Sequence, residues 1–462
     1  MIQKFKITQL FGYRTAEIVF EDNIKILIGE NGLGKTTVLN SLYYLLNKMY
    51  NKLSKIDFET IELTFINKQS ISFSKLELES YLEYKENRKN RHFPISVLKQ
   101  IERIDTTVIN EQLFNLDNFS AKAEEIINKF IIDNNIRKFA PNHIMGREIF
   151  RFLTEPLSYK IFDEIDLITN ELNFSILYLP TYRRVEEDLK NLGTFRKKIH
   201  HHTNRDYYEE LEEDLEVTDD TLIHFGMEDV KQRVIKIENE IEKSTIAGFS
   251  KLTGEMLSQL LRGFPEVQDE IIDELDEHTV KIILHRVGEN LPSNDRKNIV
   301  NLLETKKSLK EKKELVYFIS KLIDIYNEHK HLDDSVKNFR DICNKYLTDK
   351  QFKYDESAVD LDLYRNNTEE KVELNKLSSG EKQIISIFSK VYLEKNNNLI
   401  VLFDEPELSL SLPWQKQLLP DIINSNKCKF LLSVTHSPFI FDNELDKYAV
   451  GMDRYISESN DE

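Results

Sequence analysis

Two short stretches, far apart in the chain, carry residues able to hold a phosphate chain and cleave it. The first is Gly29-Glu30-Asn31-Gly32-Leu33-Gly34-Lys35-Thr36, followed by Thr37. Glycines at these spacings let backbone N–H groups close around phosphate oxygens. Lys35 can reach the β and γ oxygens, and the Thr36 hydroxyl can ligate Mg²⁺. The nucleotide-binding candidates are therefore Gly29, Asn31, Gly32, Gly34, Lys35, Thr36 and Thr37. The second stretch ends in Asp404-Glu405. Asp404 suits the metal, directly or through water, and Glu405 suits a general base that polarises an attacking water. His436 can position that water or the terminal phosphate. The chemistry is hydrolysis by positioning and charge, with no covalent nucleophile.

The surrounding residues supply the elements these groups need. An apolar run at 24–28 leads into the glycine loop, and Val38, Leu39, Leu42, Leu45 and Leu46 trace one face of a helix after it. Residues 399–403 form an apolar run of strand length, which sets Asp404 and Glu405 at a strand's carboxyl end, where α/β folds bind ligands. Ser378-Ser379-Gly380-Glu381 precedes Ile384, Ile385, Phe388, Val391 and Tyr392 at helical spacing. Free N–H groups at that helix start favour a phosphate. Singly, serine-glycine before a helix reads as a cap, and Asp-Glu after a strand as a solvated turn. Their ordered conjunction points to ATP.

At 462 residues the chain exceeds one ordinary core, so two or more domains are expected. A net charge of -17 does not favour indiscriminate nucleic-acid binding, although a local basic groove is compatible with it. The 2 cysteines lack metal-ligand spacing and read as reduced thiols. No apolar run reaches the roughly 18–20 residues of a membrane span, so a cytoplasmic protein is expected. Segments 5–7 and 16–20 alternate as antiparallel strands do, and 61–65 with 70–73 reads as a hairpin around Asn67-Lys68. Arg183 and Arg184, past the strand-like run 175–180, face either the nucleotide, a polyanion or solvent. Residues 190–206 are the most basic stretch and include Arg196, Lys197 and Lys198 as candidate polyanion contacts. His200-His201-His202 reads as a surface loop, since no carboxylate or cysteine completes a metal set. Met227, Val230, Val234, Ile237 and Ile241 form a coiled-coil-like seam, and Leu302, Leu309, Val316 and Ile323 recur at every seventh position. Such helices pack on one another or on another subunit.

The motif set resembles the ABC-type ATPase superfamily, and more narrowly its SMC-like and OLD-like soluble branch. Leu377-Ser378-Ser379-Gly380-Glu381 is similar to the signature loop, His436 to the switch histidine, and residues 407–411 to the dimer-contact loop, with Leu412 where a histidine is usual. The resemblance implies an α/β, ABC-type P-loop ATPase head, a mixed sheet with flanking helices. It also implies a large, mainly helical insertion forming a short coiled-coil or helical domain. The expected domains are residues 1–75, the N-terminal lobe of the head; 76–174, a helical insertion; and 175–206, a return to the head with the basic loop. Residues 207–350 are then a helical or coiled-coil domain, and 351–462 the C-terminal lobe. Implied cofactors are ATP and Mg²⁺. Ser378, Ser379, Gly380 and Glu381 would complete another subunit's site, which implies an ATP-sandwich dimer or a higher homo-oligomer.

The stretches ILYLPTYRRVEEDL, HFGMEDV and FSKLTGEMLSQLL resemble the ATPase subunits of the PARIS anti-phage system (AriA), with the Septu ATPases (PtuA) as the neighbouring alternative. That resemblance implies a defence sensor that holds a separate TOPRIM-type nuclease and releases it on meeting a phage-encoded trigger, acidic or DNA-mimicking in character. Arg183, Arg184, Arg196, Lys197 and Lys198 are the candidate trigger contacts. Little chain follows His436, so no nuclease domain and no nuclease activity of its own are expected. An SMC-like or RecF-like DNA-repair ATPase is the alternative, and no membrane partner is implied.

Overall fold

The computed structural model describes residues 2–30, 32–66, 69–89, 109, 113, 121–133, 162, 165, 174–181, 227–265, 272, 275–287, 291–304 and 309–458. Asn31, Arg183, Arg184, Arg196, Lys197, Lys198 and His200–His202 lie outside these residues. In chain order the elements are β1 (Ile2–Leu10), β2 (Arg14–Val19), β3 (Ile24–Ile28), α1 (Lys35–Leu46), α2 (Tyr50–Leu53), β4 (Thr60–Phe65), β5 (Ser70–Ser74) and α3 (Lys75–Lys89). Next come α4 (Ala121–Asp133), β6 (Ser175–Leu179), α5 (Met227–Arg262), α6 (Glu277–Arg286), α7 (Ser293–Glu304) and α8 (Lys313–Tyr346). Last are β7 (Lys350–Asp355), β8 (Asp360–Arg365), α9 (Ser379–Leu393), β9 (Leu399–Asp404), α10 (Leu412–Ile423), β10 (Cys428–Thr435), β11 (Ala449–Gly451) and β12 (Ile456–Glu458).

The chain divides into two compact units. One comprises Met1–Asn23, Asn40–Asn173 and Met452–Glu462. Its sheet has the order β12-β2-β1-β4-β5, with β1 antiparallel to both β2 and β4. In β4 the residues alternate between buried and half-buried, as expected of a sheet with one face toward a core. An aromatic cluster fills that core, with Tyr81 stacked on Phe162 at 4.4 Å and Tyr50 edge-on to both.

The other unit comprises Ile24–Leu39 and Phe174–Gly451. Its sheet has the order β11-β3-β10-β9-β6, with every pairing parallel. Parallel strands covered on both faces need apolar residues at every position, and all six residues of β9 are buried. Each fully buried Leu, Ile, Val or Phe there contributes about 1.5–3 kcal/mol relative to exposure. The short β11 occupies one edge, beside β3.

Helices α5 and α8, of 36 and 34 residues, run about 50 Å each at the α-helical rise. Met227, Val230, Ile237 and Ile241 of α5 are buried in one cluster with Leu332, Val336 and Phe339 of α8 and Ile384 and Phe388 of α9. That seam is therefore satisfied within the chain. The sevenfold repeat is not one helix: Leu302 lies in α7, Leu309 in the turn before α8, and Val316 and Ile323 in α8. They nonetheless meet in one cluster with Val280, Leu284 and Ile319. No helix among the described residues is long and apolar enough to cross a membrane.

Candidate functional site: a phosphate loop beside a strand-end carboxylate pair

The sheet order explains how residues remote in sequence converge. Strands β3, β10 and β9 are adjacent and parallel, so the glycine loop, the 435–437 turn and Asp404-Glu405 emerge from the same edge. Gly32 and Gly34 adopt φ of +87° and +81°, a region closed to most side chains. A Cβ at Gly32 would meet nothing within 4 Å, so the positive φ rather than crowding calls for glycine there. Helix α1 starts directly at Lys35, with Val38 N donating to Gly34 O at 2.9 Å. Thr37 lies in its first turn and is half-buried.

The Lys35 ammonium is buried and donates to Gly29 O at 2.6 Å and Glu30 O at 2.8 Å. His436 Nε2 lies 3.0 Å from the same nitrogen. Burial pushes the Lys35 pKa down, against the opposing pull of Glu405, Asp404 and Glu407. Thr36 Oγ1 donates to Asp404 Oδ1 at 3.0 Å. A hydroxyl and a carboxylate at that separation are the hard oxygen donors that Mg²⁺ takes, so the residues fit the metal. Thr36 and Asp404 would hold it, and the bound ion would neutralise charge on the phosphates.

Glu405 sits one residue beyond β9 in a left-handed conformation, φ +50°, before Pro406. Its N–H donates to Val434 O at 2.8 Å, which anchors this strained backbone to β10. Burial raises its pKa, and Asp404 and Glu407 add to the effect, while His436 and Lys35 oppose it. The shift strengthens it as a proton acceptor. His436 Nε2 lies 3.8 Å from Glu405 Oε1, so histidine, lysine and glutamate form one cluster.

Two further residues hold the site, and neither was assigned that task from the sequence. Thr181, just past β6, donates from Oγ1 to Asp404 Oδ2 at 2.9 Å, so Asp404 is held through both oxygens. Its only sequence signal was its place after an apolar run. Glu407, which the resemblance places in the dimer-contact loop, binds the 435–437 turn of its own chain.

Ser378 is the N-cap of α9 and makes a capping box with Glu381. Their side chains bond each other, and Glu381 Oε1 accepts from Lys350 Nζ at 3.0 Å; none of these bonds reaches Lys35, Thr36 or Asp404. Burial works to raise the Glu381 pKa, but Ser378 and Lys350 outweigh it and hold it low. Ser379 opens the helix, and Gly380 abuts the turn after β9. A Cβ on Gly380 would stand 2.5 Å from Ser409 O and 3.3 Å from Trp414 Cζ3. Gly380→Ala should therefore cost about 1–3 kcal/mol, because backbone must move to make room. A urea midpoint equal to that of the wild type would show that the Ser409 turn yields freely.

The AAA ATPase domain model matches residues 1–441 of the chain. No curated protein matches it. Among solved structures, the Smc head domain with an extended coiled coil from Pyrococcus furiosus, bound to the C-terminal domain of ScpA, aligns at 11% identity and TM-score 0.35. That alignment covers 99% of this chain and 95% of the other. An SmcHead bound to the C-winged helix domain of ScpA aligns at 8% identity and TM-score 0.32, covering 95% and 90%. The Smc head domain with a coiled coil and joint from Pyrococcus yayanosii aligns at 13% identity and TM-score 0.30, covering 95% and 93%. Overlays this loose carry no functional weight. The family model does, because the phosphate loop, Asp404, Glu405 and His436 all fall within its span: the chain belongs to the AAA ATPase domain family and hydrolyses ATP.

Proposed function

We propose that this ATPase is the SMC-like sensor and scaffold subunit of an anti-phage defence system, holding a separate nuclease effector and releasing it when a phage trigger is met. The observation that carries this reading is the mechanical linkage of α9 to the long helices. Arg233 of α5 donates from Nη1 to Ser389 Oγ at 3.0 Å and from Nε to Glu394 Oε1 at 3.1 Å. Tyr346, at the end of α8, packs on Phe388 of α9 and Trp414 of α10 at centroid distances of 5.4 and 5.7 Å. A shift of α9 on nucleotide binding would be delivered to both long helices, which suits an ATPase whose output is the holding or release of a partner. The resemblance of residues 176–189, 224–230 and 249–261 to PARIS ATPases supports a nuclease as that partner.

In this reading ATP-bound subunits assemble through Ser378–Glu381 of one chain and the phosphate loop of another, and Arg183, Arg184, Arg196, Lys197 and Lys198 meet an acidic trigger. The chain purified alone should cleave no plasmid, linear DNA or tRNA with ATP and Mg²⁺ or Mn²⁺. A nuclease gene beside this one is the first expectation, and the chain co-expressed with its product should retain that nuclease until a DNA-mimicking acidic protein is added. Cleavage lost through a point change in this chain outside the ATP site would sink the proposal. ATP hydrolysis stimulated by duplex DNA, with no retained nuclease, would instead favour a repair ATPase.

A further inference from the structure

The side chain of His436 projects from an exposed turn, and one carboxylate bonds all three residues 435–437 of that turn. Glu407 Oε1 accepts from His436 N at 2.7 Å and from Ser437 N at 3.1 Å. Its Oε2 accepts from Thr435 Oγ1 at 2.7 Å. One carboxylate thus grips three consecutive residues at the end of β10. Charge-assisted hydrogen bonds of this kind are about twice as strong as neutral ones. Glu407 is itself fixed by Gln415, a buried residue of α10. Gln415 Nε2 donates to Glu407 O at 3.3 Å and to Leu410 O at 3.0 Å, and its Oε1 accepts from Ser437 Oγ at 2.7 Å.

We infer that Glu407 is a positioning residue for ATP hydrolysis, acting through the backbone of residues 435–437 to set His436 against Lys35 and Glu405. The family resemblance places Glu407 in a loop that contacts another subunit. These bonds give it a task inside its own chain. Without the carboxylate, His436 N loses its acceptor, while Ser437 N and Thr435 Oγ1 keep only the bonds between their own two residues, and His436 loses the anchor that keeps Nε2 at 3.0 Å from Lys35 Nζ. The inference rests on His436 acting at the phosphate end of the site.

The experiment is a double-mutant cycle on kcat with purified full-length chain, ATP and Mg²⁺. Glu407→Ala should lower kcat by roughly ten- to a hundredfold, the scale of loss from a misplacement of about 1 Å, while ATP affinity stays within about threefold of wild type. Glu407→Gln keeps an oxygen for the two N–H groups and should recover most of that loss. On a His436→Ala background, Glu407→Ala should cause no further fall, because residues acting as one unit are non-additive. Thr435→Val removes, with little change of shape, the hydroxyl that donates to Glu407 Oε2 and Ser437 O and accepts from Ser437 N. It repeats the cycle should Glu407→Ala fail to fold, with a loss of about threefold alone and none beside His436→Ala. Additive losses, or a Glu407→Gln enzyme as slow as Glu407→Ala, would overturn the inference while leaving the histidine's role intact. Wild-type hydrolysis by His436→Ala would remove that role and the inference with it.

Discussion

Lys35→Ala should lose tight ATP binding, with an affinity at least roughly a hundredfold weaker, or about 3 kcal/mol. The reason is electrostatic. Three carboxylates, Glu405, Asp404 and Glu407, act on the Lys35 ammonium, and the bound phosphates bring further negative charge to the same place. Without Lys35 that charge meets no direct lysine counterion. The side chain also ties the two ends of the loop, through Gly29 O and Glu30 O at the start and helix α1 at the other. Lys35→Met keeps the aliphatic stem and separates the loss of charge from the loss of packing. Calorimetric titration with ATP and Mg²⁺ checks the expectation. A dissociation constant within about threefold of wild type would remove the lysine from the site.

Glu405→Gln should bind ATP with near-normal affinity and hydrolyse it about 10²- to 10⁴-fold more slowly, the range expected for loss of a general base. Glutamine matches glutamate in size and tolerance of the φ +50° backbone, so the exchange isolates chemistry from folding. It also removes one of the negative charges facing Lys35, which favours ATP retention. Single-turnover hydrolysis and nucleotide affinity, measured on the same preparation, separate the two effects. Hydrolysis within about threefold of wild type would exclude Glu405 as the base. Equal losses of affinity and rate would point to a structural defect instead.

The chemistry was legible in the sequence because its carriers are local patterns. A glycine loop between an apolar run and a helical stripe specifies backbone conformation and a cation within a few residues. The apolar run 399–403 followed by two acids specifies a buried strand and its functional end. The capping box at Ser378 and Glu381 was readable as well, since a cap and its partner lie three residues apart.

What only the tertiary structure decided depends on pairings that no local pattern encodes. That β10 lies between β3 and β9, bringing His436 to Lys35, follows from the packing of the whole parallel sheet. Thr181 bonds Asp404 across 223 positions of sequence, and Glu407 bonds the 435–437 turn across the strand pair. An isolated threonine or glutamate at a strand end carries no signal until its neighbour is known. The sevenfold leucine and valine repeat misleads for the same reason. Periodicity reports which residues want burial, but the tertiary packing of α6, α7 and α8 decides what buries them. Local sequence thus determines which groups can do chemistry and on what element they sit. Long-range burial and hydrogen bonding determine which of them meet, because those free energies belong to pairs of segments rather than to either segment alone.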